Sequence, residues 1–333
     1  VGVVVGSFLN FAVQIPALVR AKIRYYPSLN PNHPGLKQIL ILMVPVVIGL
    51  SVTQINLFVN QNLASGLSEG SISALRLAQR IMQLPIGIFG ISVAMAVFPT
   101  MTEQVSRNNI SEFKRLFSLG LRGIFVITIP AALGLMALRE PIIALLFQQG
   151  QFDANDTLAT AQALFYYSMG LFAYSALQLV NRVFYSLKDT VTPVLTAIAS
   201  IALNIALSIL WVRSMGHEGL ALAYSVAGVF NLLLLIVLIR RRLRHIGGGV
   251  LVRSFLVSGL ASLVMYAAAR YGMAYVASWL AFIPKVNALI MVMTGMGLGL
   301  TIYGIIISVF HLEETDLVLN VIKKRLPGIR FRV

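Results

Sequence analysis

Cysteine is absent from the 333 residues, so the chain has neither a disulfide framework nor a thiolate that acts as a nucleophile or metal ligand. Charged residues are scarce: Asp, Glu, Lys and Arg make up 11% of the chain, against roughly 25% in soluble domains. Acidic residues are the rarest of these, with 11 Asp and Glu against 26 Lys and Arg. These shortages exclude a disulfide-framed secreted domain and an ordinary soluble fold.

Hydrophobic residues supply 58% of the chain and collect in long uncharged runs. An α-helix needs roughly 20 such residues to cross the hydrocarbon core of a bilayer. We therefore expect an all-α polytopic membrane helix bundle with about nine spanning segments. They fall at about 1–18, 36–63, 73–101, 116–138, 158–187, 189–213, 220–239, 250–269 and 286–312. A short amphipathic stretch, 140–152, is too short to span and is predicted to lie at the membrane interface.

The basic residues predict the orientation of these segments. A formal net charge of +15 suggests nucleic acid as a partner in a soluble domain. Here, nineteen of the 26 Lys and Arg lie in the loops after the first, third, fifth and seventh segments and in the C-terminal tail. The positive-inside rule makes these regions cytoplasmic, so topology explains the charge and no nucleic acid is expected. Because the chain starts at Val1, inside an apolar run, we also expect a preceding N-terminal part.

The third segment carries the most informative pattern. Arg76 and Arg80 are four residues apart and share one face of a helix, and an uncharged run from Ile81 to Thr102 follows. An arginine at the centre of a span costs about 2.5–3.5 kcal/mol on insertion scales, so it normally faces a polar cavity or a partner. Pro85, followed by two glycines, predicts a bend.

A bent helix that presents a guanidinium group suggests an anion site in a transporter. The alternative is that the two side chains extend to the membrane interface. Arg76 lies near the helix start, where both interpretations stay open. Arg80 lies about 6 Å deeper, at 1.5 Å per residue, and there the cavity is favoured.

The second segment is uncharged but rich in amides. Asn56 and Asn60, together with Gln54 and Asn62, make its second half too polar to face lipid. They are expected either to line a polar cavity or to hydrogen-bond to neighbouring helices. The four histidines fall at segment ends without ligand spacing, so neither a metal site nor a cofactor is expected.

Three motifs, in order between these spans, resemble one family. They are Ala78-Gln-Arg-Ile-Met-Gln-Leu-Pro-Ile-Gly-Ile-Phe-Gly90 with Phe98-Pro99, Glu140-Pro-Ile-Ile-Ala-Leu-Leu-Phe147 with Gly150-Gln-Phe-Asp153, and Arg182-Val-Phe-Tyr-Ser-Leu-Lys-Asp-Thr-Val-Thr-Pro193. The chain resembles the MurJ (MviN) family of lipid II flippases, within the multidrug/oligosaccharidyl-lipid/polysaccharide exporter superfamily.

The resemblance implies a fold and a division of the chain. Members have two six-helix lobes around a central cavity, followed by two extra helices. Residues 1–24 then hold the end of the last first-lobe helix and the start of a cytoplasmic linker. Residues 25–245 form the second lobe, and 246–333 form the two C-terminal helices and a basic cytoplasmic tail. Most of the first lobe is absent from the chain on this interpretation and becomes its expected partner.

The resemblance also implies a function, which is moving lipid II across the bacterial inner membrane by alternating access, for cell-wall synthesis. The expected partners are lipid II and membrane lipids. Arg80 matches the cavity arginine of the second lobe, where it would bind diphosphate, and Gln79 and Gln83 would add neutral hydrogen bonds. Arg76, Asn56 and Asn60 join this substrate site on the residue-level reasoning above. Some relatives bind sodium in this lobe through carboxylates; the matched position is Asn60, and without an acid no sodium site is expected.

Two other functions stay open. A drug/cation antiporter of the same superfamily would favour an acid embedded in the membrane, whereas the 11 Asp and Glu lie in loops or near segment ends. A membrane enzyme acting on polyprenyl phosphates would need acids or histidines converging at one membrane face, and the sequence shows no such group. We therefore expect a transporter and not an enzyme.

Overall fold

The computed structural model describes residues 2–20, 54–244, 247–279 and 284–310, and its regular elements there are all helical. Residues 1–50 and 51–333 form two separate units, and only α1 is described in the first. The helices are α1 (Gly2–Arg20), α2 (54–65), α3 (Ser71–Pro85), a π-helical turn (Ile86–Ile91), α4 (Ser92–Ser106), α5 (Ile110–Phe147), α6 (Ala154–Ser168), α7 (Leu171–Ser186), α8 (Val191–Met215), α9 (His217–Leu243), α10 (Gly248–Ala277) and α11 (Pro284–Val309).

The described helices confirm an all-α polytopic membrane protein. Six are long and apolar enough to span a membrane, and the bent pair α6–α7 makes up to seven. These seven correspond to the predicted third to ninth segments. In α1 the apolar stretch is shorter, Val4–Pro16. Most of the second segment and the basic tail lie outside the described residues, and the predicted division into three domains stays a prediction.

Helix α5 is the centre of the larger unit. It packs against α4, α6, α7, α10 and α11, and its fully buried Phe113, Phe117 and Leu121 fill the core between α4, α7 and α9. Its 38 residues span about 57 Å at 1.5 Å per residue, more than the hydrocarbon core of roughly 30 Å. The helix must therefore extend beyond the apolar layer.

The stretch 140–152 begins as part of α5, and its predicted position at the membrane interface stays a prediction. Glu140–Phe147 continues α5 without a break, although Pro141 removes one backbone donor. Leu138 and Ile143 are buried on either side of this proline. Packing of these apolar side chains therefore outweighs the missing hydrogen bond.

The predicted fifth span is one bent pair, with a 45° angle between α6 and α7. Ser225 of α9 fits against the break. Its hydroxyl accepts from the Gly170 amide at 3.1 Å and lies 2.6 Å from the carbonyl oxygen of Tyr166, to which it donates. A side chain at position 170 would lie 2.8 Å from the Ser225 Cα, so only glycine permits this approach. The polar groups released by the break are thereby satisfied inside the protein.

Candidate functional site

Helix α3 begins at a glycine and buries one face. Gly70, at φ 87°, provides the left-handed N-cap conformation. Ala74, Ala78, Ile81 and Met82 are buried against α5, α6 and α9. Small residues at positions 74 and 78 allow the close approach of α6, and this packing fixes how the helix is rotated about its axis.

The opposite face of α3 carries the predicted polar residues. Arg76, Arg80 and Gln83 are exposed, and Gln79 is half-buried at the edge of the same face. At 100° per residue these four lie within one arc of about 100°. Within the described residues neither arginine has a salt-bridge partner. The sequence prediction that both guanidinium groups share one face of this helix is confirmed.

Where the sequence predicts a bend, the structure has a π-helical turn. Pro85 ends α3 and Ile86–Ile91 form the turn, but the helix continues as one 36-residue span, Ser71–Ser106. Gly90 is buried in this turn, and an added Cβ would lie 2.9 Å from the Ser175 Cα of α7. π turns accommodate an extra residue inside a helix and are frequent at functional sites. Here the turn separates the polar half of the span from its apolar half.

A cleft with several polar groups in its wall opens beside the start of α3. Its empty volume, counted out to the open mouth, is about 520 Å³. Helices α2, α3, α6 and α9 line it through Asn56, Leu57, Asn60, Gln61, Ala64, Ile72, Leu75, Arg76, Gln79, Tyr167, Leu220 and Tyr224. One cation, amides and two tyrosines thus face a common space between apolar helices.

The asparagines of α2 continue into a hydrogen-bond network with α8. Asn204 accepts through Oδ1 from the Nδ2 atoms of Asn56 at 2.8 Å and Asn60 at 3.0 Å. Ser208 donates to Asn60 Oδ1 at 3.1 Å. Asn56 and Asn60 therefore line the cleft and also link two helices.

Tyrosines form the wall of the cleft opposite α2. Tyr224 stacks on Tyr174 with ring centroids 4.4 Å apart and meets Tyr167 edge to face at 5.4 Å. The Tyr174 hydroxyl donates to the Tyr224 carbonyl oxygen at 3.0 Å. The side chain of Gln79 contacts the Tyr224 hydroxyl. Each ring in this wall thus contacts an aromatic neighbour on another helix.

The structure divides the six predicted site residues into two groups. Asn56, Asn60, Arg76 and Gln79 line the cleft together. Arg80 and Gln83 lie on the exposed face of α3 and do not line it. Arg76, which the sequence leaves open between interface and cavity, lies at the cleft, one turn before Arg80.

Sequence reasoning missed two residues that line the cleft. Tyr167 and Tyr224 line the cleft, but a tyrosine in a span is commonly plain packing, and only the i, i+4 spacing of Leu220 and Tyr224 indicates a shared face. Outside the cleft, Arg122 of α5 is buried, with 8% of its surface exposed. The sequence places it only in or near a helix. In the described part of the chain no group of three or more His, Asp or Glu could hold a metal ion.

Comparisons with known proteins agree with this fold. The family described as "Lipid II flippase MurJ" matches residues 1–293. The probable lipid II flippase MurJ of Vibrio cholerae serotype O1 is 34% identical over 235 residues, covering 71% of this chain and 45% of the relative. That of Rhizobium meliloti is 35% identical over 285 residues, covering 84% and 52%. The chain thus spans about half the length of the curated relatives it matches.

Solved structures show the same architecture. The structure titled "Lipid II flippase MurJ, inward closed conformation" has a TM-score of 0.72 and 29% identity, covering 94% of this chain and 61% of that one. A MOP superfamily transporter from Pyrococcus furiosus shares the fold at a TM-score of 0.54 and 14% identity. These likenesses define a polytopic helical protein with the fold of the multidrug/oligosaccharidyl-lipid/polysaccharide (MOP) exporters. The chain belongs to the lipid II flippase MurJ family.

Proposed function

We propose that the chain works in the transbilayer movement of lipid II, a diphosphate-linked cell-wall precursor, across the bacterial inner membrane by alternating access. Family membership supports this activity, and the curated relatives carry the name of that flippase. The proposal makes the protein a transporter with a binding site for a charged lipid headgroup, and assigns it no catalytic residue.

The exposed face of α3 is the observation that carries the proposal. Arg80 lies inside a candidate span, is exposed, and has no ion-pair partner among the described residues. A guanidinium group binds phosphate oxygens through two parallel hydrogen bonds, a geometry that suits a diphosphate. Gln83 lies on the same exposed face and adds neutral donors and acceptors. Substrate binding would therefore neutralise a cation that is costly inside a membrane.

A complementation experiment tests this role. Arg80→Ala, introduced into the gene that encodes the chain, should abolish growth of a strain depleted of its own lipid II flippase. The variant should insert at the wild-type level, because the Arg80 side chain is exposed and no packing is lost. Arg213→Ala is the matched control, since Arg213 is an exposed arginine in the last turn of α8. Growth of Arg80→Ala at equal membrane level would refute the assignment of the diphosphate to α3.

We also propose that the protein lies in the inner membrane with a cytoplasmic C-terminus, on the basis of the basic loops. Ser68 and Ser111 are exposed near opposite ends of the span Ser71–Ser106. Since the chain has no native cysteine, Ser111→Cys should label from the cytoplasm and Ser68→Cys from the other side. Labelling of both from one side would contradict the topology.

A further inference from the structure

The cleft between α2, α3, α6 and α9 carries a positive charge without a neighbouring acid in its lining. Arg76 is the cation that lines it, and none of the twelve lining residues is acidic. The other polar groups at its wall are amides and tyrosine hydroxyls, which can all donate. A guanidinium group among neutral donors favours a negatively charged ligand.

The asparagine network beside the cleft favours an anion over a cation. Each amide oxygen of the network already accepts a hydrogen bond: Asn56 Oδ1 from Asn60, Asn60 Oδ1 from Ser208, and Asn204 Oδ1 from both asparagines of α2. The Nδ2 group of Asn204, with 2% of the residue exposed, has no hydrogen-bond partner. A hard cation binds several oxygen ligands, preferably carboxylates, whereas this network has neutral amide oxygens that already accept hydrogen bonds and one unused donor.

We propose that this cleft is a second anion subsite, which binds a carboxylate or phosphate group through Arg76, with an amide donor from Gln79. It is separate from the Arg80 face, because Arg80 and Gln83 do not line the cleft. The anion is either a group carried by the lipid-linked substrate, in which case the inference rests on the proposed function, or a free inorganic or carboxylate ion.

Thermal unfolding of the purified protein in detergent tests the free-ion source. Sodium phosphate or sodium acetate is titrated against sodium chloride at constant ionic strength. At ten times its dissociation constant the ion should raise Tm by about 2 °C or more, because it binds only the folded state. Arg76→Gln should abolish the rise, and Arg80→Gln should keep it. An equal rise in wild type and Arg76→Gln would overturn the assignment.

A single-cysteine reporter tests the substrate source. Gln61→Cys places a thiol at the cleft, and Asn62→Cys is the matched control, exposed on the same helix but outside the lining. Phosphate, acetate or lipid II should slow maleimide labelling at position 61 and leave position 62 unchanged. Slowing by the small ions identifies a free anion, and slowing by lipid II alone identifies a substrate-borne group.

Two outcomes overturn the subsite. One is the absence of both a Tm rise and labelling protection with every anion. The other is protection that persists in Arg76→Gln. Neither result depends on complementation by the Arg80 variants, so failure of the subsite and failure of the proposed transport function are distinguishable.

Discussion

The two halves of the span Ser71–Ser106 are built for different tasks. Helix α3 buries small and aliphatic residues on one face and exposes Arg76, Arg80 and Gln83 on the other. Helix α4 carries no charged residue before Glu103, and its Ala94 and Met101 are fully buried between α5 and α7. One helix therefore presents polar chemistry at one end and is anchored by apolar packing at the other.

The π-helical turn is the boundary between these halves. Gly90, its buried glycine, touches the backbone of Ser175, whereas Gly87 in the same turn has nothing within 4 Å of an added Cβ. The turn is thus held on one side and open on the other. Tight packing at Gly90 positions the polar half relative to the anchored half, and variants of the two halves should consequently fail in different ways.

After removal of the Arg80 cation itself, the largest effect is expected from replacing its planar guanidinium group by an ammonium group. Arg80→Lys keeps the charge but loses the planar fork, and one lost charge-assisted hydrogen bond is worth about 1.5–3 kcal/mol. The flipping rate should fall by about tenfold or more, measured as lipid II reaching the outer leaflet at equal protein level. Arg213→Lys, in the last turn of α8, is the control. A wild-type flipping rate in Arg80→Lys would show that a positive charge at position 80 is sufficient without the planar guanidinium group.

The next largest effect is expected on protein stability, where the π-helical turn packs against α7. Gly90→Ala brings a methyl group to 2.9 Å from the Ser175 Cα, and such overpacking costs typically about 1–3 kcal/mol. Gly87→Ala meets no atom within 4 Å and should be neutral or slightly stabilising. Unfolding in detergent by urea measures both. Ser175→Gly should only partly rescue Gly90→Ala, because the added methyl group would still meet the backbone of residue 175. Equal stability of the two alanine variants would show that the approach of α7 to the turn is looser than described.

The spans could be predicted from the sequence because each one needs about twenty consecutive apolar residues. The shared face of Arg76 and Arg80 could be predicted from their spacing of four residues. The break at Gly170 was missed because the apolar run passes through it, and its stabilising partner, Ser225, lies 55 residues away in the chain. The predicted fourth segment, 116–138, is shorter than α5 because the apolar run shows only the part that crosses the membrane, whereas tertiary packing continues the helix past Pro141.

The cleft shows the same limit. The polar residues of each helix are visible in the sequence, but no local sequence pattern predicts that Asn60, Arg76 and Tyr224 line the same cleft. From the sequence, Arg80 is favoured over Arg76 as a cavity residue only because it lies deeper along the same helix. The structure adds the neighbours of each arginine and thereby assigns them to different surfaces.

A smaller effect should come from the network that joins the polar end to α8. Asn60→Ala removes hydrogen bonds to Asn56, Asn204 and Ser208. Interhelical hydrogen bonds in membranes average about 0.6 kcal/mol, so the loss should be about 1–2 kcal/mol. Asn62→Ala, exposed on the same helix, should change stability by less than about 0.5 kcal/mol. Comparable losses in the two variants would argue against a specific link between α2 and α8.

The smallest effect is expected far from α3, at the turn between α7 and α8. The Asp189 carboxylate accepts three hydrogen bonds. They come from the Thr192 backbone amide at 3.0 Å, from the Thr192 hydroxyl at 2.8 Å and from Arg242 of α9 at 2.8 Å. These interactions, the Thr192 amide first, lower the pKa of Asp189 below its ordinary value of 3.8. Because the folded-state pKa is the lower one, the stabilisation is complete above the unfolded pKa and is lost as pH falls through the folded pKa.

Asp189→Asn should therefore destabilise the protein by a few tenths of a kcal/mol at neutral pH, because the ion pair is partly exposed and screened. Below about pH 4, where the unfolded wild-type carboxyl is protonated as well, the difference from wild type should shrink. Thermal unfolding between pH 3 and pH 7 measures it. Transport at neutral pH should stay at the wild-type level, since this turn touches neither α3 nor the cleft. A transport defect as large as that of Arg80→Lys would mean that the two ends of the helix bundle are coupled and that the polar half of the span does not act alone.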